Sequence, residues 1–358
     1  MTTVYFDTSI IMNESFLRSA YAQAILKACS LLNIAVAIPD IVIDETLGNY
    51  PKKLNVKARA YEAARKDLAK IADLEAPAFS KEGVFDAYEA GLNALLEKHE
   101  VTVIAYPDVG AKELVEKAYE CKKPFDEKGI GHKDYIVWRS IKDHIEDGDA
   151  QAPHIFLTNN TRDFCDTDDN DNVILHDDLS SQIADDALKP KVYTSLKAFY
   201  DAELLPNLEG VALADIPDLN AETLDELTSA YLGEELPQRT AYGIEGVPFS
   251  NEVSIVHYGG HQIEDTQLSE FEDDVIIEVS GTVEIEVTGF VEKHAFYLDD
   301  EEGLSVNVID GDWNDHVMLV GTTVETAFVL SIVYSKEDSA VAGYNLSLPQ
   351  EIDAYADY

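Results

Sequence analysis

Along the first 200 positions, apolar residues fall into short continuous runs separated by stretches with helical spacing. VYF (4–6), IAVAI (34–38), VTVIAY (101–106), HIFLT (154–158) and NVIL (172–175) predict buried strands. Residues 15–32, 41–73, 81–99, 110–121, 132–146 and 190–204 predict helices, with Gly48 and Pro51 marking a break in the second. Strands alternating with helices predict a parallel sheet with right-handed crossovers and a site at the strands' carboxyl ends.

After residue 205 the pattern changes. Residues 206–240 read as a linker punctuated by Pro206 and Pro237, with a short helix at 221–232. From 241 to 358, β-branched runs alternate with Gly and Asp clusters: VSIVHY (253–258), VIIEVSGTVEIEVTGF (275–290), HVMLV (316–320), AFVLSIVY (327–334) and AGYNLSL (342–348). They predict an antiparallel sheet or small sandwich. The expected organisation is therefore an α/β domain over 1–205, a linker over 206–240 and a mostly antiparallel β domain over 241–358.

Composition narrows the class. A length of 358 residues suits two domains, and 46% hydrophobic residues suffice for real cores. No run approaches the roughly 20 apolar residues that span a bilayer. The opening MTTVYFDTSIIM has no basic segment before its apolar run, so a cytoplasmic protein without membrane partners is expected. Cys29, Cys121 and Cys165 lie far apart and read as reduced thiols.

The net charge of −43 is unevenly spread. Residues 1–200 hold 23 Lys/Arg against 34 Asp/Glu, whereas residues 201–358 hold 3 against 35. Side chains able to meet a phosphate backbone are thus nearly all in the first part. The acidity has two readings: a salt-adapted or solubility-driven surface, or an acidic face that docks a basic partner or mimics nucleic acid.

Candidate chemistry follows the strands. Asp7 comes directly after the first strand, Glu45 lies early in the helix after the second, Asp134 opens the helix before the fourth, and Asn160 and Asp163 follow the fourth. Carboxylates converging on one point repel each other unless a hard cation such as Mg²⁺ or Mn²⁺ holds them. Such a cation activates water and offsets phosphoryl charge, which suits phosphodiester hydrolysis. Taken singly, each acid also reads as a helix cap or a solvated charge. Asp44, beside Glu45, is an alternative ligand.

The segments VYFDTSIIM (4–12), IPDIVIDETL (38–47), GHKDYIVWRSI (131–141) and IFLTNNTRDF (155–164) resemble, in order, the four signature segments of PIN-domain ribonucleases. The resemblance covers roughly residues 1–205. It implies a Rossmann-like α/β sandwich, one or two bound Mg²⁺ or Mn²⁺, and cleavage of RNA, with single-stranded DNA an alternative substrate. It places the catalytic set at Asp7, Glu45, Asp134, Asn160 and Asp163, with the acids as metal ligands. Asn160 departs from the usual acid, and Asp163 is positioned to supply the missing charge. The 88 residues between Glu45 and Asp134 point to a larger branch than the compact toxins of the family. Thr8, Lys133, Arg139, Thr158 and Arg162 flank the acids as candidate substrate contacts, although capping hydroxyls and internally paired surface charges are the plainer reading.

Other constellations are weaker. Asp166, Asp168, Asn170 and Asp177 approximate calcium-loop ligand positions, but position 6 is Asp171 rather than Gly and position 12 is not Glu. His132 reads as a helix-start surface residue. No nucleophile elbow or Gly-rich phosphate loop occurs. The β domain carries no catalytic motif, and Trp313, Tyr258 and Tyr344 read as core or contact positions. The rival to a metal-dependent ribonuclease is a non-catalytic PIN-like protein whose β domain binds a basic protein partner. A buried Lys or Arg filling the acidic crevice would favour that rival.

Overall fold

The computed structural model describes residues 1–72, 81, 83–148, 152–170, 172–216, 218–242, 252–298 and 306–348. Asp171 of the calcium-loop reading, and 243–251, 299–305 and 349–358 of the β-domain reading, lie outside the described residues. The chain divides into two compact units, Met1–Asn207 and Leu208–Tyr358.

The first unit is built on a parallel sheet. Its strands are β1 (Thr3–Phe6), β2 (Ala35–Pro39), β3 (Thr102–Ile104), β4 (His154–Leu157) and, after an antiparallel ribbon of β5 (Cys165–Thr167) and β6 (Val173–Leu175), β7 (Lys191–Tyr193). The order is β3-β2-β1-β4-β7, and every neighbouring pair is parallel. The chain moves outward from β1 to β3 and returns beside β1 as β4. The switch point therefore lies between β1 and β4, where a crevice opens at the strands' carboxyl ends. Val4, Tyr5, Phe6, Phe156 and Leu157 are fully buried, as a sheet covered on both faces requires.

Helices α1 (Thr8–Asn13), α2 (Ala20–Leu31), α3 (Asp40–Leu68), α4 (Val84–Lys98), α5 (Ala111–Glu120), α6 (His132–Asp147), α7 (Thr161–Phe164), α8 (Asp177–Ser180) and α9 (Leu196–Phe199) complete the unit. On α6, Val137, Trp138, Ile141 and Ile145 are buried at helical spacing. Asp134 lies on the same stripe, one turn ahead of Trp138. On α3, Ile41, Val42 and Thr46 are buried, and Glu45 shares their side of the helix. Apolar stripes thus aim both acids inward.

Two expectations are corrected here. Residues 172–175 are not the fifth strand of the parallel sheet; β6 pairs with β5, and the fifth strand is β7, inside the stretch read as a closing helix. Nor is α3 broken at Gly48 or Pro51. Pro51 sits inside a continuous 29-residue helix. Tyr50, just before it, is buried and stacks on Tyr88 of α4 at 3.9 Å, so packing overrides the lost hydrogen bond.

Among its described residues, the second unit is an antiparallel sheet with two α-helices. It comprises β8 (Glu209–Gly210), α10 (Ala221–Glu235), β9 (Thr240–Tyr242), β10 (Glu252–Phe271), β11 (Asp274–Glu292), α11 (Lys293–Leu298), β12 (Asn307–Asp310), β13 (Val317–Ser335) and β14 (Ala340–Ser347). Strands β10, β11 and β13 are 19 or 20 residues long and pair along nearly their whole length. The expected linker is corrected too. Ile216, Leu219, Leu224, Leu232 and Leu236 are buried in this unit's core with Val275, Ile277 and Ile332. Asn220 caps α10 through a capping box with Thr223. Residues 216–236 therefore belong to the folded second unit, because the sheet needs a helix to cover its apolar face.

Candidate active site

Asp7 leaves β1 at the switch point. Its backbone N–H donates to the Leu157 carbonyl at 3.0 Å, extending the β1–β4 ladder by one residue. Although Asp7 stands at the N-cap of α1, its carboxylate makes no capping bond. Instead Oδ2 accepts from Ser9 Oγ at 2.7 Å and Thr158 Oγ1 at 2.9 Å. Ser9 in turn accepts from the Asn159 N–H at 2.9 Å, tying the β1 and β4 exits together. Asp7 is buried; burial raises its pKa, the hydroxyl and backbone donors lower it, and Glu45 raises it again.

Glu45 reaches the same place from α3. Its Oε2 accepts from Thr8 Oγ1 at 2.7 Å, and its Oε1 pairs with Lys133 Nζ at 2.9 Å. The Lys133 side chain is 72% exposed, so it caps Glu45 from solvent and does not fill the crevice as a buried cation. Asp44 points elsewhere and accepts from Tyr106 OH at 2.6 Å, which separates the two neighbouring acids.

Asp134 lies in the first turn of α6. Its pKa is pushed up to about 7, first by burial and then by the charges of Asp7, Asp163 and Glu45. Four acids from four separate stretches therefore sense one another across one crevice. Among the described residues, no three His, Cys, Asp or Glu side chains stand close enough to enclose a metal ion by themselves.

Asn160 caps α7, accepting the Asp163 N–H on its side-chain oxygen at 3.3 Å. Its amide nitrogen donates to Asp134 Oδ1 at 3.2 Å. The amide thus holds an acid, which a carboxylate in its place could not do without adding repulsion.

The remaining candidates divide. Thr8 and Thr158 are buried and hold Glu45 and Asp7. Arg162 is exposed on α7, and its carbonyl accepts from Lys123 Nζ. Arg139 is committed to Asp143 at 2.7 Å and Glu113 at 3.1 Å, which leaves it poorly placed for a phosphate. His132 is exposed and packs edge-on against Phe125. Asp168 accepts from the Asn170 and Asn172 N–H groups, so it closes the β5–β6 turn on itself.

Gly131 was not singled out from sequence. It caps α6 at φ +138°, and a Cβ there would lie 2.3 Å from the Pro124 carbonyl oxygen. Its signal was available: a glycine directly before a helix whose first turn carries an acid.

A family model described as a PIN domain matches residues 4–164. No curated protein and no solved structure matches the chain.

Proposed function

Since residues 4–164 form a PIN domain, of a family whose members are generally nucleases, we propose that the chain is an endoribonuclease that hydrolyses RNA phosphodiester bonds with Mg²⁺ or Mn²⁺. The observation that carries this reading is geometric: hydrogen bonds from Ser9 and Thr158 to Asp7, from Thr8 to Glu45, and from Asn160 to Asp134 and from its N–H to Thr158, bring three acids from distant stretches to one crevice. Carboxylates gathered in this way are what a divalent cation holds. The donors are hard oxygens, and Mg²⁺ needs only one or two carboxylates beside waters and substrate phosphate oxygens.

Of Asp7, Glu45, Asp134 and Asp163, one or two would hold the ion directly and the others through its bound waters. When bound, it would lower the pKa of a water and offset charge on the phosphoryl group. The chain's own groups do the positioning. Ser9 and Thr158 both grip Oδ2 of Asp7, which orients its other oxygen. Asn160 orients Asp134, and Thr8 orients Glu45. Lys133 and Arg162 stand exposed at the rim, where phosphate oxygens can reach them.

The test compares wild type with Asp7→Asn on single-stranded RNA with added Mn²⁺. Cleavage leaving 5′-phosphate ends is expected from wild type and none from the variant. Equal cleavage by both proteins would assign the activity to a contaminant and remove the proposal.

A further inference from the structure

We propose that the outward face of the second unit's sheet docks a basic, amphipathic segment of another protein. Strand alternation assigns the residues to this face. Val279, Val283, Ile285 and Val287 of β11 point into the unit's core. Glu284, Glu286, Thr288, Phe290 and Glu292 therefore point the other way. Register with β13 sets Glu284 opposite Glu325, Glu286 opposite Thr323, Thr288 opposite Gly321 and Phe290 opposite Leu319.

One end of the face is apolar and open to solvent. Phe290 is 44% exposed, Trp313 53% and Ile309 54%. The rings of Phe290 and Trp313 have centroids 5.2 Å apart. Ile309 lies over Gly321, where an added Cβ would stand 2.9 Å from Ile309 Cδ1. Half-buried Leu319 is flanked by Phe290 on one side and β12 on the other. On the back of the sheet, Val291, Met318 and Val320 are buried and pack with Phe296 of α11. The sheet is thus apolar on both faces here: α11 packs on the back, while the front presents two rings and an aliphatic chain to water. Clustered exposed apolar side chains of this kind mark interaction surfaces, and aromatic anchors carry much of the energy in such contacts.

Charge names the occupant. Six residues along β11 from Phe290, on the order of 20 Å, Glu284 stands directly opposite Glu325, and both are exposed. Like charges directly opposite on neighbouring strands are destabilising, so this pair is kept against the fold's own stability. Exposed Glu286 adds a third carboxylate two residues away, with His257 of β10 on its other side. Glu284 lies over Gly259, where an added Cβ would stand 2.6 Å from its Oε1 and where glycine offers no side chain to pair it. The unit's three cations are engaged elsewhere: Arg239 with Glu235, Lys293 with Asp312 and Lys336 with Glu270. An extended segment with apolar side chains at one end and Arg or Lys at the other meets both halves of the face. The second unit of another copy does not, because it brings the same carboxylates and like charge repels.

The test uses the full chain and a synthetic peptide of about seven residues, long enough to span the face when extended. Two leucines near one end and two arginines near the other alternate with serines. A control peptide has serine in place of both leucines. Trp313 reports binding by its fluorescence, since the chain's other tryptophan, Trp138, is fully buried. The leucine peptide is expected to bind about tenfold tighter than the control, equal to about 1.4 kcal/mol. Ile309→Ser should remove that difference. Val308→Ser should leave it, because Val308 pairs with Val320 and so lies on the back of the sheet, 48% exposed. Glu325→Gln should weaken both peptides about fivefold and leave the melting temperature unchanged or higher, as relief of repulsion requires. Equal binding of the two peptides, or equal losses in Ile309→Ser and Val308→Ser, would overturn the proposal. A lower melting temperature in Glu325→Gln would also overturn it, by showing that the pair serves the fold. Self-association of the protein that Ile309→Ser abolishes would assign the face to a second copy instead.

Discussion

Single residues decide whether the crevice assembles. Gly131 combines a left-handed φ with a Cβ position 2.3 Å from a backbone oxygen, so no side chain fits without moving the start of α6. Gly131→Ala should lower stability by about 2 kcal/mol or more and displace Asp134, as thermal melting and activity together would report. Asp134 itself sets a pH dependence. Its folded pKa is raised to about 7, above the ordinary carboxyl value. A raised carboxyl stabilises the fold below its unfolded pKa, and that contribution is lost as pH rises through about 7. Without divalent ion, the difference in melting temperature between wild type and Asp134→Asn should shift against wild type from pH 5 to pH 8. Added Mn²⁺ should raise the wild-type melting temperature more at pH 8 than at pH 5. A pH-independent difference would show that Asp134 is not held among the other acids.

At the level of elements, stripes explain what could be read in advance. The positions of Glu45 and Asp134 were legible because each shares a side of its helix with buried residues, and that of Asp7 because it directly follows a buried strand, whose end faces the crevice. Lys191–Tyr193 was not legible as a strand, since three residues carry no periodicity and only pairing with β4 defines them. The α10 segment looked like a linker because its partner is a sheet lying later in sequence. Arg139 was open from sequence to either phosphate contact or internal pairing, and its acceptors, Glu113 and Asp143, decide for pairing only once α5 and α6 are placed. Element packing also creates a second pH effect. Tyr5 OH sits between Nδ1 of His144 on α6 and Nδ1 of His154 on β4, at 3.0 and 3.2 Å. Burial lowers both imidazole pKa values. The folded state thus binds fewer protons than the unfolded one, and stability should fall as pH drops below the unfolded His value of about 6.5. Urea melts of wild type and His144→Gln at pH 7 and pH 5 should show a smaller acid loss in the variant. An equal loss in both would place the acid sensitivity elsewhere.

Over the whole molecule, charge constrains how the proposed RNA substrate would be met. Residues 201–358 carry only three basic side chains, and all three are paired: Arg239 with Glu235, Lys293 with Asp312 and Lys336 with Glu270. If the nuclease reading holds, basic side chains that meet phosphate would therefore come from the first unit, with Lys133 and Arg162 exposed beside the acids. Two contacts to a single strand would give a log–log salt slope of about −1.4 from counterion release. The net charge of −43 acts in the opposite sense, because added salt screens its repulsion of RNA. The observed slope should therefore be shallower than about −1.4. Titrating the Asp7→Asn protein with single-stranded RNA at increasing KCl and fixed Mn²⁺ measures it. A slope steeper than about −3 would require a wider basic track than these two residues form. It would mean that RNA also crosses a part of the first unit away from the acids.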